Sequence, residues 1–172
     1  MISQSAQDYL KAIYELQKGH DPVPTVNTSL VAEKVEVSAA SATNMVKKLA
    51  EMQLVQHTPY QGVVLTLLGE RVALEIIRHH RLLELYLTEN LGYDWDQVDA
   101  EAERLEHVIS EEFEDRIDEA LGYPTSDPHG APIPTKEGAI KQRDYQLLSN
   151  VKVGQTACIQ EVNDRSPEML RY

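Results

Sequence analysis

The stretch VEVSAASATNMVKKLAEMQLVQHTPYQGVVLT, residues 35–66, decides the fold. Ser38 can cap a helix, because its hydroxyl can accept from a backbone N–H that has no partner within the first turn. From there Ala42, Met45, Val46, Leu49 and Met52 recur at helical spacing and form an inward stripe. The opposite face carries Ser41, Thr43, Asn44, Lys47 and Lys48, with Ala40 beside them at the helix start. Two short β-branched-rich runs follow on either side of Tyr60-Gln61-Gly62, the pattern of a hairpin. A hairpin directly after such a helix is a wing. Thr66 then caps the next helix, which begins LLGERVALEII.

Upstream, residues 4–17 place Ala6, Tyr9, Leu10, Ile13, Tyr14 and Leu16 on one helical face, with Gly19 as the stop. A turn-rich stretch leads to a short helix from Ser29 to Lys34. Two short helices, a tight turn and small polar residues opening the second helix make a helix-turn-helix. An ordinary helical subdomain can share that geometry, but the added hairpin favours DNA binding. Ser41, Thr43 and Asn44 can then hydrogen-bond base edges, with Asn suited to adenine, and Ser38 and Ala40 at the helix start are further DNA-binding positions. Lys47 and Lys48 become phosphate contacts, which position the protein without reading sequence. So few basic residues imply weak binding by one copy and a dimer on double-stranded operator DNA.

Net charge is −12 over 172 residues, which taken whole disfavours a nucleic-acid partner. The charge is unevenly spread. Residues 1–72 hold six Lys and Arg against seven Asp and Glu, whereas residues 73–125 hold four against fifteen. The N-terminal part is near neutral and leaves DNA binding open. No apolar run approaches the roughly 20 residues of a membrane span. The single cysteine, Cys158, has no internal disulfide partner, and the start lacks the features of a signal peptide. A cytoplasmic protein without a membrane partner is expected.

Within the acidic segment, residues 67–91 read as one long helix on which His80 and Glu84 stand four apart on one face. Tyr93-Asp94-Trp95 breaks it, and a second helix is expected over residues 96–110. There Glu103, Glu106 and His107 at i, i+3 and i+4 project from one stripe, with Asp99 one turn earlier. A solvated charged face would alternate in sign. Instead Glu101, Glu103, Glu106, Glu111, Glu112 and Glu114 are opposed only by Arg104 and Arg116. Like charges at this spacing repel unless a cation lies between them. A carboxylate–imidazole set on neighbouring helices is also how helical bundles hold transition metals. Val98, Leu105, Val108, Ile109, Phe113, Ile117 and Leu121 add an apolar stripe suited to dimerisation, to burial against the chain's own long helix, or to both.

Three motifs together, AQDYLKAIYEL, H-R-L-x-E followed by E-x-x-E-H, and D-P-H-G-x-P-I-P, resemble the diphtheria toxin repressor family of metal-dependent transcription factors over essentially the whole chain. The resemblance implies a mainly α protein. A winged helix-turn-helix domain would occupy residues 1–72 and a helical metal-binding and dimerisation domain residues 73–140. Residues 141–172 would form a linker and the start of an SH3-like β domain. It further implies a principal metal site of Asp8, His80, Glu103, Glu106 and His107, and an ancillary site of His80, Glu84 and Asp99. His129 matches a ligand position of streptococcal-type members. Asp8 and Glu103 fall where iron-responsive members carry methionine and cysteine. Oxygen in place of sulfur favours Mn²⁺ first and Fe²⁺ second. Lys11 stands where the manganese branch has another acidic ligand, and a cationic side chain cannot ligate.

The function implied is a metal-dependent repressor that senses Mn²⁺, or Fe²⁺, to control metal homeostasis. A metalloenzyme would use a similar ligand set, but no nucleophile, base or substrate pocket is readable beside the cluster. In the tail, VKVGQTACIQEVND reads as strand and PEMLRY as the start of a helix.

Overall fold

A computed structural model describes residues 2–18, 22–141 and 145–162 and divides the chain into two units, Met1–Ile77 and Arg78–Tyr172. In the first unit, α1 (Gln4–Lys18) buries Ala6, Tyr9, Leu10, Ile13 and Tyr14. The Gly19 stop lies outside the described residues. α2 (Thr28–Lys34) starts one residue earlier than Ser29, because the Asn27 side chain caps it by accepting from the Ser29 N–H at 3.0 Å. The turn to the next helix uses Glu36 at φ 54°, and the Val37 N–H reaches back to the Ala32 carbonyl at 2.9 Å.

α3 (Ala39–Glu51) is capped as expected: Ser38 Oγ accepts from the Ser41 N–H at 3.2 Å. Of its inward stripe, Ala42, Val46 and Leu49 are fully buried and Met45 is half-buried, whereas Met52 is 38% exposed. Met52 is the C-cap, where the helical phase ends, so it leaves the core. Complete burial of Val46 and Leu49 contributes about 1.5–3 kcal/mol each.

β1 (Val55–Thr58) and β2 (Gly62–Leu65) pair antiparallel, Val55 opposite Leu65 and Thr58 opposite Gly62. The wing is rooted by an exchange of bonds between Val26 and Val63 (2.9 and 2.8 Å). Gln17 at the end of α1 accepts from the Leu65 N–H at 3.0 Å. Helix, helix, helix and hairpin in this order form a winged helix-turn-helix.

α4 (Leu67–Leu91) runs from the first unit into the second. Thr66 caps it, Oγ1 accepting from the Gly69 N–H at 3.1 Å and donating to the Gln53 carbonyl at 2.8 Å. Gly69 is required: a Cβ there would lie 1.9 Å from the Leu54 carbonyl oxygen.

In the second unit, the single helix expected over residues 96–110 is two. α5 spans Asp99–Leu105 and α6 spans Glu111–Ala120. A continued helix would need the Glu106 carbonyl to accept from residue 110. That carbonyl instead faces His79 Nδ1 at 3.0 Å, and Ser110 caps α6 by accepting from the Phe113 N–H at 3.2 Å. The core holds Leu82, Leu83, Leu85, Ala102, Ile117 and Ile133, with Tyr86, Leu105, Ile109 and Leu121 packed on it. The apolar stripe therefore divides. Val98 and Ile117 are buried, whereas Val108 and Phe113 remain 62% and 46% exposed.

The strand expected in the tail is not formed among the described residues. From residue 151 to 162 the chain runs without a ladder, and among the described residues of this unit no strand is present for it to pair with. Its Val162 N–H donates to the His129 carbonyl at 2.9 Å. The last two residues of that run, Asn163 and Asp164, and the helix expected at PEMLRY lie outside the described residues.

Candidate metal centres

α4 changes character where the second unit begins. Arg78, His79, His80 and Glu84 are all buried on it, and such groups enter a core only when paired or liganded. Arg78 and Arg81, one turn apart, hold the proline-rich loop after α6 by donating to the Pro134 carbonyl at 2.8 Å and the Pro132 carbonyl at 2.5 Å. Arg78 also pairs with Glu114 (2.5 Å) and Asp118 (2.6 Å) of α6. Burial by itself would raise the Glu114 pKa. The hydrogen bonds and positive charge of His79 and Arg78 outweigh it and hold the carboxyl at about 2.

His80 stands between two carboxylate sets. Its Nδ1 lies 2.5 Å from Glu106 Oε2 and 3.7 Å from Glu103 Oε2. Its Nε2 lies 3.5 Å from Glu84 Oε1 and 3.4 Å from Asp99 Oδ1. Glu106 is fully buried at the C-cap of α5, one turn after Glu103, and its Oε1 is 3.4 Å from His107 Nε2. Ligand atoms of Glu103, Glu106 and His107 lie within 4.8 Å of one another, as do those of His80, Glu84 and Asp99. Asp8, half-buried on α1, belongs to the first unit.

A third set was not read from the sequence. Glu84, Asp127 and His129 are all buried and each offers an atom within 4.8 Å of the others. His129 is thus a core residue rather than a surface loop histidine, 3% exposed. Its Nε2 lies 2.7 Å from the Trp95 carbonyl, which can only accept, so Nε2 carries the proton and Nδ1 faces Glu84 Oε1 at 3.7 Å. The Trp95 and His129 rings pack 5.6 Å apart. Asp127 Oδ1 accepts from the His129 and Ala131 N–H groups, both at 2.9 Å. Asp127 Oδ2, both Glu84 oxygens and His129 Nδ1 are buried and receive no hydrogen bond. Burial and then the Glu84 charge push the Asp127 carboxyl up to about 6, against the pull of Arg81, 3.5 Å away.

In the first unit, Ala40, Ser41, Asn44, Lys47 and Lys48 are exposed on α3, and Ser38 is exposed at its cap. Thr43 is half-buried and its hydroxyl donates to the Ala39 carbonyl at 2.8 Å. The Ser38 and Ser41 hydroxyls are 2.9 Å apart, engaged with one another at the cap.

Residues 1–63 match the iron dependent repressor N-terminal DNA binding domain, and residues 66–135 the iron dependent repressor metal binding and dimerisation domain. The chain belongs to the diphtheria toxin repressor family. Within that family it is 35% identical over 134 residues to the iron-dependent repressor IdeR of Mycobacterium leprae, covering 77% of this chain and 56% of the relative. An HTH-type transcriptional regulator of Methanocaldococcus jannaschii is 34% identical over 116 residues, 67% of this chain and 91% of the relative. The chain thus spans little more than half the length of the mycobacterial repressor. Among solved structures, a manganese-dependent transcriptional repressor in complex with manganese is 44% identical with a TM-score of 0.89, over 97% of this chain and 76% of that one. ScaR with bound Cd²⁺ is 34% identical with a TM-score of 0.81 over the same shares. These family members are named as transcriptional regulators, not enzymes. Among the described residues no helix is long and apolar enough to cross a membrane.

Proposed function

We propose that this chain acts as a metal-dependent, DNA-binding transcriptional repressor that senses Mn²⁺, with Fe²⁺ as the second choice, and works as a homodimer on operator DNA. The buried acceptor set on α4 and the proline-rich loop carries the reading. Four atoms of Glu84, Asp127 and His129 converge without a hydrogen-bond donor, in a segment dense in carboxylates. Buried charge without a partner is costly, and a divalent cation supplies the missing positive charge. Five of the ligand candidates in the second unit (Glu84, Asp99, Glu103, Glu106 and Asp127) offer oxygen and three (His80, His107 and His129) nitrogen. No sulfur is among them, which favours a hard cation such as Mn²⁺.

His80, Glu103, Glu106 and His107 would hold one ion, with Asp8 entering as a ligand on the sequence resemblance. Glu84 would serve a further ion, alongside His80 and Asp99 or alongside Asp127 and His129. Exposed Val108 and Phe113 supply apolar surface for a second copy. Asn44, Lys47 and Lys48 on α3 supply a base-reading group and phosphate contacts, with Ser38, Ala40, Ser41 and Thr43 at the helix start.

Metal binding would favour the DNA-competent form by a coupling of about 1–3 kcal/mol, and operator DNA would tighten metal binding by the same factor. The test is binding to the protein's own promoter region with and without Mn²⁺, Fe²⁺ and Zn²⁺. Selective binding that requires metal, best with Mn²⁺, is the expected result. Equal binding in chelator overturns the reading.

A further inference from the structure

His79 and His80 are consecutive on α4, and both grip Glu106, from opposite ends. The His80 ring meets the Glu106 carboxylate at 2.5 Å, and His79 Nδ1 meets its main-chain carbonyl at 3.0 Å. The carbonyl can only accept, so Nδ1 of His79 is the donor. Its other ring nitrogen, Nε2, lies 3.3 Å from Glu114 Oε2, and Glu114 Oε1 is 2.5 Å from Arg78 Nε. Arg78 in turn reaches Asp118 at 2.6 Å. His79, Arg78, Glu114 and Glu106 are each at least nine-tenths buried.

The placement matters because Glu106 sits where α5 ends. A carbonyl there has lost its helical partner and must find another donor. Whatever takes it sets the orientation of the Glu106–His107 peptide, and so where both side chains project. We propose that His79 is a positioning residue for the metal centre: it fixes the backbone at Glu106 and ties it through Glu114 to α6. The proposal rests on the reading of Glu103, Glu106 and His107 as metal ligands. The two ring nitrogens of His79 face the Glu106 carbonyl and the Glu114 carboxylate, so its part is indirect. It acts as an outer-shell donor, and loss of such a partner typically weakens metal affinity by about 10–100-fold.

The test uses the full chain and Mn²⁺ alone, titrated by the electron paramagnetic resonance signal of the free ion, beside thermal unfolding in chelator. His79→Leu, which removes the donor, should weaken the Glu106-dependent Mn²⁺ binding about 10-fold or more. His79→Gln keeps an N–H within reach of the carbonyl and should recover most of that loss. In a Glu106→Gln background the His79→Leu change should have no further effect on Mn²⁺ binding. Lowered melting temperature in chelator with Mn²⁺ affinity within two-fold of the parent's, a purely structural role (roughly 0.4 kcal/mol), overturns the proposal. If His79→Leu does not fold, Glu114→Gln carries the same test, and unaltered Mn²⁺ affinity in that variant overturns it too. If Glu106→Gln itself leaves Mn²⁺ binding intact, the ligand reading fails, a result distinct from failure of the His79 step.

Discussion

Replacing Asp127 with asparagine isolates the cost of gathering buried carboxylates without a cation. Asp127 Oδ1 accepts two backbone N–H groups at 2.9 Å, and an asparagine oxygen can accept both. What changes is the charge at Oδ2, which is buried, faces Arg81 at 3.5 Å and receives no hydrogen bond. In the folded chain this carboxyl is pushed from 3.8 up to about 6, by burial first and the Glu84 charge second. At about 1.4 kcal/mol per unit, ionising it in the fold costs up to about 3 kcal/mol. Below the unfolded value both states hold the proton and the cost is absent. As pH rises through about 6, the folded state must give up its proton and that stability is lost. The metal-free Asn variant should therefore exceed the parent by about 1–3 kcal/mol at pH 7 and match it below pH 4.

Urea unfolding in chelator, followed by fluorescence of Trp95, gives the measurement. Trp95 is the chain's single tryptophan and packs against His129, so it reports on this unit. Saturating Mn²⁺ should reverse the order. The parent gains about 2.7 kcal/mol at a hundredfold excess over Kd, and the variant, one anionic donor poorer, gains less. An Asn variant less stable than the parent at pH 7 in chelator would refute the reasoning, because the Arg81 pairing would then outweigh desolvation.

Glu103→Cys should move the metal ranking toward Fe²⁺, Co²⁺ or Zn²⁺ in a DNA-binding titration, since thiolate prefers softer ions; an unchanged ranking sinks the selectivity argument. Lys47→Ala should weaken DNA binding on all sequences and make the salt dependence shallower by about 0.9 for each phosphate no longer neutralised. Asn44→Ala should instead relax discrimination at one base position by about 1–3 kcal/mol, visible in a competition series with single-base operator variants. Gly130→Ala places a Cβ 2.0 Å from the Gln160 carbonyl at a φ of +91°, so the tail must shift. Amide exchange at Val162, which donates to the His129 carbonyl, should then accelerate, and protection equal to the parent's would count against that strap.

The winged helix-turn-helix was legible because each of its elements is set by local signals. Ser38 and Thr66 are caps with adjacent orphan N–H groups, and Tyr60 and Gln61 turn the chain between two four-residue strands, the second opened by Gly62. The first helix shows in its helical periodicity, the wing in two β-branched-rich runs around a turn, and the start of α4 in the Thr66 cap. What periodicity could not supply was the end of α5. The spacing of Glu103, Glu106 and His107 puts all three on one helix face, yet the helix ends at Leu105 with Glu106 as its C-cap. In the structure their ligand atoms lie close together, and His79 and His80, neighbours on another helix, hold Glu106 by its carbonyl and its carboxylate. Helical spacing thus points to three residues that the structure also gathers, although the helix it assumes ends one residue before Glu106.

Asp127 escaped notice by the same limit. In D-P-H-G an aspartate two residues before a histidine reads as turn chemistry, and its Oδ1 does serve the turn. Its second oxygen acquires meaning only when α4 brings Glu84 within ligand distance of it, over forty positions earlier in the chain. Such a site has no sequence period, since Glu84 lies on a helix and Asp127 and His129 in a distant loop. It can be found only as a buried negative surplus, four acceptor atoms without donors, and that surplus is why the metal-free state of this unit should be the less stable one.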